Sequence, residues 1–114
     1  MTRQIALIGT LFVLSLPLFA EDPYCSENWA TPMTFAHLKN AGITDNEKLD
    51  WSKTVAKRIA SEKIGSDLYH QVYLVRFTEK SGKVIEAIAV HDASSVECSM
   101  TGVEVFLVAK RLGP

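Results

Sequence analysis

The chain holds two cysteines, Cys25 and Cys98, which lie near opposite ends of the stretch from residue 21 to residue 114. Joined as a disulfide, they close a loop over most of that length and tie the amino-terminal segment to a point near the carboxyl terminus. The chain-entropy value for a loop of this size is about 4 kcal/mol. Metal ligation or thiol redox chemistry would call for a C-x-x-C pair or a His/Cys cluster beside the thiols. The sequence has neither, so a structural cross-link is expected.

The start of the chain agrees with an oxidising destination. A positive charge at Arg3, an apolar run from Ile5 to Phe19 and the step from Leu18-Phe19-Ala20 to Glu21-Asp22 have the order of a secretory signal peptide, so residues 1–20 are expected to be a cleaved leader. Crossing a bilayer takes about 20 apolar residues; this run is shorter and is interrupted by Gly9, Thr10, Ser15 and Pro17. Lipidation would need a cysteine directly after the cleavage point, and Cys25 lies beyond it. The expectation is a secreted or periplasmic chain, with a disulfide and no stable membrane anchor.

Loss of the leader removes Arg3 and no acid, leaving 11 basic against 13 acidic residues and a formal charge of −2. That balance gives no electrostatic case for nucleic acid, which is bound through clustered Lys and Arg. Lys57-Arg58 and Lys110-Arg111 are local pairs of the kind found on solvated faces. Residues 21–114 suffice for one domain and are too few for two. At this size only about two-thirds of the unfolded surface is buried, so a cross-link is useful.

Residues 21–30 read as polar and irregular. Thr31-Pro32 then opens a short helix, with Thr as N-cap and Pro at N1, and Asn40-Ala41-Gly42 closes it. The segment from Asp50 to Ile64 is ambiguous. As a helix it aligns Trp51, Val55 and Ile59 in one row and Ala56, Ala60 and Ile64 in the next; as a strand it pairs through Gly65-Ser66-Asp67 with the segment from Leu68 onward. The helical rows match better, and a second helix is the leading expectation. Leu68–Phe77 and Val84–Val90 are rich in aromatic and β-branched residues, and Glu79-Lys80-Ser81-Gly82 between them has hairpin chemistry. Val103–Ala109 reads as a further strand. The predicted fold is α+β: one or two N-terminal helices packed on an antiparallel β-meander of three to four strands.

The connection from His91 to Gly102 is the most suggestive stretch. It is long for a link between strands, and such loops on rigid scaffolds are disproportionately functional. It carries His91, Asp92, Ser94, Ser95, Glu97 and Ser99, and Cys98 would tether it. Nucleophilic catalysis would need a serine, an imidazole and a carboxylate oriented in series. His91 and Asp92 are adjacent and point to opposite faces of an extended segment, and no G-x-S-x-G elbow surrounds a serine. His37, His70 and His91 match no zinc spacing, so no metal or other cofactor is expected. His70, alternating with Leu68, Val72 and Leu74, is expected to be a partly buried imidazole with a hydrogen-bond partner. Tyr69 and Tyr73 lie on the other face of that strand. They form either an aromatic contact patch or, as the stronger expectation, cross-strand packing beneath the amino-terminal segment with Tyr24 and Trp29. Glu62 and Glu86, carboxylates inside apolar segments, are read as exposed-face positions.

These observations favour a non-catalytic binding module, of the inhibitor or immunity type, that presents a tethered loop to another protein. The candidate contact residues are His91, Asp92, Ser94, Ser95, Glu97, Tyr69 and Tyr73. The alternatives are a subunit of an envelope assembly that uses strand 103–109 as an open edge, and a small hydrolase using His91 with Asp92 or Glu97.

Overall fold

The computed structural model describes residues 21–110, 112 and 113; the expected leader lies outside these residues. One α-helix, α1 (Thr31–Asn40), packs on a four-stranded antiparallel sheet in the order β1-β2-β3-β4. The strands are β1 (Val55–Gly65), β2 (Leu68–Thr78), β3 (Val84–Ala93) and β4 (Glu104–Leu107). The fold is α+β, and Cys25 and Cys98 form its disulfide, with Cα atoms 5.6 Å apart.

The β2–β3 hairpin lies where its aromatic and β-branched residues put it, in continuous register from Tyr69↔Ala93 to Thr78↔Val84. Its loop closes through Glu79 N–H to Lys83 O (2.7 Å) and Gly82 N–H to Glu79 O (2.8 Å), with Gly82 at φ 98°, a conformation costly for any residue with a Cβ. Tyr69, Gln71, Tyr73, Val75 and Phe77 of β2, and Ile85, Ala87, Ala89, His91 and Ala93 of β3, are buried on one face. The alanines of β3 leave room for the helical segment, which covers this face with Ala30, Phe35 and Leu38. α1 ends in a Schellman arrangement: Ile43 N–H reaches Leu38 O (2.9 Å), Gly42 N–H reaches Lys39 O (3.0 Å), and Gly42 has φ 75°.

Four expectations are corrected. Residues 50–64 are not a second helix. Trp51–Lys53 makes a single 3₁₀ turn, capped by the Asp50 carboxylate accepting from Ser52 N–H, and Val55–Gly65 is a strand. The ladder with β2 and the Ser66-Asp67 turn override the helical rows, whose Val55, Ile59 and Ile64 stay about half exposed. The Ser26–Ala30 stretch is a π-turn leading straight into α1, because Cys25 O accepts from both Trp29 N–H and Ala30 N–H. Thr31 is accordingly a helical residue and not the N-cap. The 91–102 loop starts later than expected, since β3 continues through His91 and Asp92 to Ala93 by pairing with the start of β2. The last strand is shorter than 103–109, limited to its four pairs with β3.

Candidate functional site

The loop from Ser94 to Gly102 is held at every turn. Ser94 Oγ accepts from Glu97 N–H (3.1 Å) and Val96 N–H (3.3 Å), and Ser94 N–H donates to Glu97 O (2.8 Å). Ser95 binds the Asp67 carboxylate at the β1–β2 turn twice, through N–H (3.0 Å) and Oγ–H (2.7 Å). Met100 N–H donates to Asp92 O, Asp92 N–H donates to Thr101 Oγ1 (2.9 Å), and Trp29 Nε1–H reaches Thr101 O (3.3 Å). With Cys98 bonded to Cys25, these contacts pre-order the loop and leave Val96 at its tip 88% exposed. A groove of about 460 Å³ runs beside it, bounded by Tyr24, Asn28 and Trp29 and by residues 94–99.

The structure divides the sequence-derived site residues into two sets. Ser95 and Glu97 are exposed on the loop, and Asp92 is half-buried on the outer sheet face. Ser94, Tyr69, Tyr73 and His91 are buried. Of these, Ser94 shapes the loop from within, whereas the Tyr73 phenol, fully buried, presents no contact surface. It accepts from Cys25 N–H (2.7 Å) and donates to Gln71 Oε1 (2.9 Å), and its ring meets Tyr24 edge-on at 5.9 Å and stacks on His91 at 5.6 Å. Gln71 Nε2–H binds Pro23 O (2.8 Å), as does Arg58 (2.7 Å), whose guanidinium lies over the Tyr24 ring. Tyr73, with Gln71 and Arg58, thus holds down the amino-terminal segment.

Burial pushes the Tyr73 phenol above its ordinary value near 10, against the smaller opposing effects of the Cys25 amide and Arg58. The fold favours the protonated phenol, so its contribution is complete below about pH 10 and is lost as the pH rises beyond that. Tyr73→Phe leaves Cys25 N–H and Gln71 Oε1 without this partner and is expected to cost about 1–3 kcal/mol at pH 7. Denaturant titrations at pH 7 and pH 11 test both points: the gap between wild type and variant should narrow at the higher pH.

His91 Nδ1 lies 3.2 Å from Asp92 O, and Nε2 has no partner. The Asp92 side chain points to the opposite face and pairs with His70 Nδ1 at 2.6 Å. His70 therefore has the partner expected of it but is exposed rather than partly buried, because it stands at the open end of the outer face. Among the described residues no hydrogen bond joins a serine hydroxyl to a histidine ring, and no three His, Cys, Asp or Glu side chains are grouped as metal ligands. His37 lies exposed on α1, His70 on the outer face and His91 inside. Among the same residues no helix is long and apolar enough to cross a membrane.

Two surfaces have no counterpart in the sequence motifs. The outer face of the sheet has an aliphatic centre of Val72, Leu74, Ile88 and Val90, set by the pairs Val72↔Val90 and Leu74↔Ile88, with Arg76–Glu86 (3.2 Å) beside it. Phe106, opposite Ile88, is 54% exposed at the β4 edge. A second groove, of about 670 Å³, lies between α1 and β1. Its walls come from two separate stretches of chain, within residues 26–35 and 51–56, so no local motif announces it.

Fold and site together define a small α+β protein: a helix on an antiparallel meander, with a loop clamped by a disulfide. The chain matches no protein-family model, and neither the curated proteins nor the solved structures contain a significant match to it.

Proposed function

We propose that the chain, exported and freed of residues 1–20, is a non-catalytic binding module that offers its 94–102 loop to another protein, in the manner of an inhibitor or immunity-type protein. The observation that supports this reading is the pre-ordered loop with an apolar tip. Val96 stands out on a frame fixed by Cys25–Cys98 and by Ser95–Asp67. A contact made by a rigid loop loses little conformational entropy on binding. Ser95, Glu97 and the neighbouring groove beside Tyr24 supply polar rim contacts.

A second reading, a subunit of an envelope assembly, is favoured by β4, a four-residue edge strand whose Phe106 and Leu107 are exposed, with exposed Val108 directly after it. The hydrolase reading is weaker because the His91 ring is only 2% exposed.

A photoreactive benzoylphenylalanine placed at position 96, or separately at position 106, distinguishes the first two. In an envelope extract the loop reading expects one dominant adduct from position 96, competed away by excess unlabelled wild-type protein and only poorly by the Val96→Asp variant. Adducts from position 106 alone would transfer the contact to the β4 edge. Mass spectrometry of the natively purified chain should find a start at Glu21 and no free thiol.

A further inference from the structure

We propose that the groove between α1 and the free edge of β1 receives an extended polypeptide segment, which adds to the sheet as a strand beside Thr54–Lys57 and carries an apolar side chain next to a lysine or arginine.

β1 ends the sheet, and outside its ladder with β2 no backbone group of Val55–Gly65 is bonded to another among the described residues. Half of its amides and carbonyls in this stretch therefore face outward, a template for an added strand. Downstream the edge is guarded. Register shifts at Arg58–Ala60 and Lys63–Gly65 twist it, and Lys63 adds charge. The start of the strand has no such shift and opens directly into the groove.

The groove is built for a side chain. Phe35 of α1 and Trp51 stand on its walls with Val55 and Ala56, their rings 4.9 Å apart and braced by Phe77 behind. Thr54 Oγ1, also in the lining, is buried and has no hydrogen-bond partner. A buried hydroxyl without a partner is uncommon, and a carbonyl or amide of an incoming strand would supply one. Glu27 is the ionisable residue of the lining and makes no ion pair among the described residues. Its carboxylate selects a basic residue on the segment.

The test is selection from a displayed library of random heptapeptides on the oxidised mature chain. Enriched peptides should alternate apolar residues and include Lys or Arg. A synthetic copy of one should shift the amide resonances of Glu27 and Thr54–Lys57. N-methylation of alternate peptide amides should weaken it about tenfold or more, the loss expected when edge hydrogen bonds are removed. Glu27→Lys should weaken it about tenfold, and Thr54→Val several-fold, each without lowering the thermal midpoint, since neither side chain is bonded within the free protein. Several results would overturn the proposal: no enrichment, shifts confined to residues 94–102 or to the outer face, or equal binding of the N-methylated peptide, which would mean an apolar pocket without strand addition. Light scattering that shows a dimer dissolved by Val55→Lys would likewise overturn it, making the occupant a second copy of this chain.

Discussion

Cys98→Ser is expected to lower the stability of the mature chain by about 4 kcal/mol, the chain-entropy value for releasing a loop whose ends are 73 residues apart in sequence. In a domain of this size each kcal/mol moves the thermal midpoint by roughly 4–8 °C, so a fall of about 15–30 °C should be seen. The urea slope should rise as well, because an uncrosslinked denatured chain exposes more surface. The bond does more than limit the unfolded state. Cys25 is fully buried and Cys98 packs against the same core, so the bridge is where the amino-terminal segment and the 94–102 loop meet. Loss of the bridge should therefore also raise hydrogen exchange at Val96 and Glu97 ahead of the β2–β3 ladder. A change below about 1 kcal/mol would assign the hold on this segment to Tyr73, Gln71 and Arg58 instead.

Phe77→Ala is expected to cost a similar amount, about 3–5 kcal/mol. The ring is fully buried, 6.3 Å from Phe35 and 5.7 Å from Trp51 between centroids, so its removal leaves a void where α1, the 3₁₀ turn and β2 converge. Near-ultraviolet circular dichroism should report the loosening of Trp51 alongside the drop in denaturation midpoint. Phe106→Ala is the matched control: its ring is mostly in solvent on the outer face, and the change should stay within about 0.5 kcal/mol. Equal losses at the two positions would mean that the outer face is covered in solution.

The legible parts of the fold were those whose signal is local. Leu68–Phe77 and Val84–Val90 could be read because they belong to central strands with one face against the core, and their loop residues accept the backbone angles of the turn; the continuation of β3 to Ala93 could not. β1 was not legible, and its two register shifts explain why. Each inserts a residue and inverts the alternation, so that Ile59 and Ile64 fall out of step. As an edge strand, it also turns the polar Arg58 and Ser61 inward to serve Pro23 and Gln71. What remains of its pattern has a period close to that of a helix. The candidate loop was recognised from its polar length and its cysteine. For Tyr69 and Tyr73 the sequence favoured inward packing over an aromatic patch without deciding between them, because both arrangements need the same residues on the same strand face; His91, read as part of the loop, lies inside with them.

By itself, then, the order of residues determined the cross-link, the β2–β3 hairpin, the first helix and its glycine stop, since each depends on chemistry carried within a few positions or on there being only one possible pair of thiols. Tertiary structure alone decided that residues 55–65 extend rather than coil, that the tyrosines face inward, and that α1 and Trp51 stand beside an unpaired sheet edge. Those outcomes come from pairing and burial between segments far apart in the chain, and free energies of that origin outweigh the small local preferences that a sequence pattern records.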